Sequence, residues 1–134
     1  MSGCCRSPRS AESLVMDNGH LDLKTVVETL GLKDLGAAPP DGRKVTGAYT
    51  SDLLSDVMGF ARAGEVWLTV QSHLNLVAVA ALKELAAVVV CGGRGVEEPV
   101  LAKAREEGVV ILSSAESSYE TGGRLWEMGV RRAQ

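Results

Sequence analysis

The chain is short of aromatic side chains, with two Trp, two Tyr and one Phe among 134 residues. Stacking platforms for bases are correspondingly few, which argues against a single-stranded nucleic acid as the partner. It also lacks an excess of positive charge. Fourteen basic residues stand against seventeen acidic ones, for a net charge of −3. Nucleic-acid binding normally needs a basic face, so no nucleic acid is expected as a partner. Long apolar runs are missing as well. Leu74–Leu82 and Leu85–Cys91 are interrupted by Lys83 and Glu84, and neither approaches the ~20 residues that span a bilayer. No membrane partner is expected. The three cysteines, Cys4, Cys5 and Cys91, are too few and too badly spaced for a disulfide framework or a zinc site. A reducing, cytoplasmic setting follows. The amino end has no apolar segment behind its basic residues, so a secretory signal is not expected.

Aliphatic residues are plentiful: 17 Val, 16 Leu and 15 Ala. Valine-rich runs suit buried strands, and Ala/Leu-rich runs suit helices that pack closely on them. Residues 1–20 are small, polar and aperiodic, and read as a disordered tail. Residues 21–130 read as one domain, since a chain of this length buries roughly two thirds of its unfolded surface. Leu23, Val26, Val27 and Leu30 recur with helical spacing, and Gly31 supplies a stop. Leu32–Leu35 is a candidate short strand, followed by a turn-rich connector to Gly42.

Beyond this point the sequence has a beat. Val45–Thr50, Val66–Val70, Ala87–Cys91 and Val109–Leu112 are β-prone, and their starts lie 21, 21 and 22 residues apart. Helical patterns separate them. One carries Leu53, Leu54, Val57, Met58 and Ala61. Leu74–Leu85 is apolar nearly all round, Glu97–Glu107 has Pro99 in its first turn, and Ser117–Met128 closes the series. The prediction is a three-layer α/β fold. Its mostly parallel sheet has about four strands, with flanking helices and a small N-terminal helix–strand element.

In such a sheet, ligands bind beyond the carboxyl ends of the strands. The rule selects Thr50, Ser51 and Asp52 after the first strand and Gln71, His73 and Asn75 after the second. It selects Gly92 and Gly93 after the third. Each has a structural reading beside the functional one. Asp52 before Leu53 suits a helix N-cap, or else a ligand contact. His73 and Asn75 suit the start of a helix. Gly92 and Gly93 either permit a positive-φ turn or let an anion approach backbone amides.

Sharper motifs fail. Gly93-Arg94-Gly95 lacks the third glycine of a dinucleotide fingerprint, and Gly42 and Gly47 have P-loop spacing but are followed by Ala48 rather than lysine. Cys91, His73 and Asp52 share a rim, but a strand-end cysteine is usually a buried small hydrophobe. No catalytic residue, metal site or cofactor is assigned.

Two strings, Val45–Met58 and Val66–Ala80, resemble the small stand-alone bacterial proteins of the DRTGG-domain family. Cys91-Gly92-Gly93 falls where that family tends to carry Thr-Gly-Gly, so Cys91 departs from the pattern. The resemblance runs from Leu21 to Val130. The family looks like the amino-terminal domain of the kinase/phosphorylase acting on the phosphocarrier protein of the sugar phosphotransferase system. It also occurs beside CBS modules and in phosphotransacetylases, always as an accessory domain. Stand-alone members accompany iron-only hydrogenases and histidine-kinase-like ATPases in anaerobic bacteria. The resemblance implies a non-catalytic regulatory domain.

Two functional expectations follow. In the first, the rim formed by Thr50, Ser51, Asp52, Gln71, His73, Asn75, Gly92 and Gly93 binds a nucleotide or another small anionic metabolite. In the second, the chain is an adaptor for a protein partner, docking through Trp67, Tyr119, Trp126 or Met128. A homodimer is compatible with both.

Overall fold

The computed structural model describes residues 21–132, so the expected tail at 1–20 lies outside the described residues. In chain order the elements are β1 (Leu21–Asp22), α1 (Leu23–Leu30), β2 (Lys33–Asp34), β3 (Lys44–Val45) and β4 (Gly47–Thr50). Then follow α2 (Leu54–Phe60), β5 (Glu65–Thr69), α3 (Asn75–Leu82), β6 (Ala87–Val90), α4 (Glu98–Glu107), β7 (Ile111–Ser113) and α5 (Ser118–Glu127).

The main sheet has five strands in the order β2-β7-β6-β5-β4. The pairs β4–β5, β5–β6 and β6–β7 are parallel, and β2 closes one edge antiparallel to β7. The four expected strands of the parallel series are present, and the short strand expected at Leu32–Leu35 joins the same sheet as Lys33–Asp34. One expected run is divided. Val45 leaves the main sheet to pair with Leu21 in a two-stranded antiparallel ribbon, and the sheet strand begins at Gly47. Gly47 is closely packed: a Cβ there would stand 3.0 Å from Glu65 Oε2 and 3.2 Å from Arg132 Cα, so a larger residue would have to displace one of them.

The strands are continuous runs of Val and Leu because both faces of the sheet are covered. Side chains alternate between the two faces. Val66, Leu68, Ala87, Val89, Val110 and Leu112 join one core with Leu23, Val26 and Leu30 of α1 and Leu125 of α5. Trp67, Val88, Val90 and Ile111 join the other, with Val57 of α2, Leu76 and Val77 of α3, and Leu101 and Ala104 of α4. Helix α3 is apolar nearly all round, and four of its residues are buried. It stops where Glu84 takes a left-handed φ of 56°.

This distribution has a consequence for binding. The crossover helices α2, α3 and α4 all lie on one face. Neighbouring parallel strands therefore share no point where successive connections diverge to opposite faces, which is where an open sheet normally opens a crevice. The change of face comes only after β7. There the chain crosses to the other side, and α5 packs back over β4 and β5.

Candidate functional site

The loops at the carboxyl end of the sheet are tied to one another. Asp52 Oδ1 accepts the Thr69 hydroxyl at 2.9 Å and the Val70 amide at 2.8 Å, while Asp52 O accepts Gln71 Nε2 at 2.9 Å. Trp67 Nε1 donates to Ser51 O at 2.8 Å, and the Leu53 amide donates to Ser51 Oγ at 3.2 Å. The N-cap expected of Asp52 is not formed. Leu53 holds the cap position of α2 with no side-chain cap, because the parallel pairing of β4 and β5 brings the amide of Val70 within reach of the carboxylate first. Asp52 is thus a staple between two adjacent strand ends. The buried Thr69 hydroxyl passes the link on by accepting the Gln71 amide at 3.0 Å.

Gly92 and Gly93 have φ values of 83° and 70°, as a tight turn requires. Their amides donate to Glu116 O at 2.8 Å and Ser114 O at 2.9 Å. Both donors are therefore engaged by the loop after β7. The Cys91 side chain is fully buried, its thiol 3.7 Å from Val89 O. His73 is exposed, and its Nδ1 accepts the Asn75 amide at 3.3 Å. Cys91, His73 and Asp52 make no hydrogen bond to one another. Among the described residues no group of three or more His, Cys, Asp or Glu could hold a metal ion, and no helix is long and apolar enough to cross a membrane.

The expected site residues are consequently distributed rather than gathered. Gln71 and His73 line a depression of about 750 Å³ between the β5–α3 loop and the start of α4, where Glu97 and Pro99 face them. Thr50 lines a separate groove of about 680 Å³ between edge strand β4 and α5. Ser51, Asp52, Asn75, Gly92 and Gly93 line neither.

The groove contains residues that the rim rule passes over. Tyr49, Tyr119 and Trp126 line it, three of the five aromatic residues in the chain. Arg131 lies over the Trp126 ring, 4.4 Å from its centroid, and Arg132 lies 5.1 Å from that of Tyr49. The Arg132 guanidinium also grips buried Glu65, with Nε to Oε2 at 2.7 Å and Nη2 to Oε1 at 2.8 Å. That carboxylate pushes the Arg132 pKa up. Burial, followed by the hydrogen bond from Tyr49 to Asp56, raises the phenol pKa of Tyr49. Of the expected docking residues, Trp67 and Met128 belong to the core, whereas Tyr119 and Trp126 are exposed. The residues at 119, 122, 123 and 126 have helical spacing in the sequence, which could have revealed a common face.

No protein-family model matches the chain, and no curated protein matches it. A solved structure does. It holds the CBS and DRTGG domains of the regulatory region of a Clostridium perfringens pyrophosphatase, in complex with its activator diadenosine tetraphosphate. The TM-score is 0.62 over 93% of this chain, at 13% identity. The chain spans 51% of the length of that solved chain. The likeness is one of fold. This chain has a DRTGG-like fold, in agreement with the resemblance carried by Val45–Met58 and Val66–Ala80.

Proposed function

We propose that residues 21–130 form a non-catalytic regulatory domain that senses a nucleotide or another small anionic metabolite. The observation that carries this reading is the fold shared with a regulatory region solved with a nucleotide activator. The ligand lies on the carboxyl-end rim. Its contacts are the groups that the loop network leaves over: the second oxygen of Asp52, the other ring nitrogen of His73 and the side-chain amide of Asn75, with Thr50 at the border of the neighbouring groove. Ser51 and Gln71 position these groups, and Gly92 and Gly93 shape the neighbouring turn. A ribose or a metal-bridged phosphate suits Asp52 better than a bare phosphate, which would meet like charge.

A thermal-shift panel tests this, using adenine and guanine nucleotides, cyclic dinucleotides, acetyl phosphate and sugar phosphates, with and without magnesium. A ligand at about 100 times its Kd stabilises the fold by ~2.7 kcal/mol, a shift of several degrees. The expected result is a selective shift that His73→Ala and Asn75→Ala reduce. A flat panel would defeat the sensor reading in favour of the adaptor, which the exposed Tyr119 and Trp126 would serve.

A further inference from the structure

The groove between β4 and α5 differs from the rim in what it leaves unused. Tyr119, Gly122, Gly123 and Trp126 stand at i, i+3, i+4 and i+7 of α5, so they share one helix face. Two turns, about 10.5 Å, separate the two aromatic positions along the axis, and the two positions between them on that face, Gly122 and Gly123, carry no side chain. Gly122 has a packing reason, since a Cβ there would meet Leu68 Cδ1 at 3.4 Å. Gly123 has none: nothing lies within 4 Å of where its Cβ would be. A glycine inside a helix costs roughly 0.5–1 kcal/mol relative to alanine. The result is a notch with an aromatic residue at each end.

The aromatic ends are left uncovered. Tyr119 is 89% exposed and Trp126 59%. At the Trp126 end the Arg131 guanidinium is held over the indole and donates from Nη2 to Trp126 O at 3.1 Å. Arginine has five N–H donors, so this anchoring leaves donors for an anion. At the other end Glu120 carries negative charge beside Ser117, whose hydroxyl donates to Glu120 Oε1 at 3.2 Å. The groove is thus polarised, with Arg131 at the Trp126 end and its other guanidinium, Arg132, paired with Glu65. Its volume of about 680 Å³ falls within the range of small-molecule sites.

We propose that this groove is a second binding site, separate from the rim, for a planar aromatic ring bearing an anionic group, the class that includes nucleoside phosphates. The ring lies over Gly122 and Gly123 between Tyr119 and Trp126, and the anionic group meets Arg131. The site goes beyond the rim reading and stands or falls apart from it.

Indole resonances test it directly, because the chain has two tryptophans in opposite situations. Titration of the ¹⁵N-labelled chain with ADP is expected to move the Trp126 indole signal, assigned through Trp126→Phe. The signal of buried Trp67, which donates to Ser51 O, is expected to stay in place. Adenosine should bind about tenfold more weakly than ADP for want of the anionic contact. Gly123→Leu, which fills the notch, and Arg131→Ala should each weaken ADP binding about tenfold or more. Circular dichroism reports whether these variants fold, and Gly123→Ala supplies a milder variant with a better helix former. His73→Ala should change nothing here. The proposal is overturned if saturating ADP moves neither indole signal, or if inorganic phosphate alone reproduces the ADP response. It is also overturned if His73→Ala rather than the groove variants removes the response, an outcome that would leave the rim reading standing.

Discussion

The carboxyl-end rim and the edge groove are built on opposite principles. At the rim, polar groups meet polar groups: Asp52 with Thr69 and Val70, Gly92 with Glu116, Gly93 with Ser114. In the groove, Tyr119 and Trp126 are exposed, and the cation of Arg131 lies over an indole rather than beside a carboxylate. Polar residues concentrated at strand ends are therefore ambiguous as a sign of function. The same composition is needed to close consecutive loops on one another. Aromatic residues left in solvent beside an unfilled notch have no such structural duty.

Substitutions can break or sharpen this contrast. The largest effect belongs to the Arg132–Glu65 ion pair, which ties the chain after α5 to the start of β5. Arg132→Ala leaves the Glu65 carboxylate, 1% exposed, without its guanidinium, and should cost on the order of 3 kcal/mol in urea unfolding. A loss below about 1 kcal/mol would mean that the pair holds nothing in place. Next comes Asp52→Ala, which strands the buried Thr69 hydroxyl and the Val70 amide. Thermal and urea unfolding should both register a loss of about 1–2 kcal/mol. Gly123→Ala should act in the opposite direction, raising stability by about 0.5–1 kcal/mol because the space is open and alanine favours the helix. A destabilised variant would show that Gly123 serves packing after all. The smallest effect is expected for Trp126→Ala. It exchanges an exposed ring and one cation–π contact for a better helix former, so stability should change by about 0.5 kcal/mol or less.

Much of the fold was legible because its cause is local. Uninterrupted runs such as Ala87–Val90 mark strands covered on both faces, and the Pro99-to-Gly108 polarity marks a helix from end to end. The short strand expected at Leu32–Leu35 forms as Lys33–Asp34, but its place in the main sheet, antiparallel to β7, could not be read from two exposed residues. Nor could the division of Val45–Thr50 be read, since it depends on Leu21 arriving from elsewhere in the chain.

The candidate site was legible only as a list of loop residues. Which of them meet was decided by tertiary placement: with α2, α3 and α4 on one face, Gln71 and His73 share a depression with the start of α4, while Thr50 falls in the separate groove under α5. The groove was hidden for a related reason. Tyr119, Leu125, Trp126 and Met128 read together as an apolar helix, and only the placement of α5 on the sheet buries Leu125 and Met128 while leaving Tyr119 and Trp126 outside.

The most direct test of this division of roles is urea unfolding of Asp52→Ala and Trp126→Ala side by side with the parent chain. Asp52→Ala should unfold at clearly lower urea with an unchanged slope, and Trp126→Ala should follow the parent curve. If Trp126→Ala proved the less stable of the two, the groove would be part of the structural frame and the contrast between the two regions would fail.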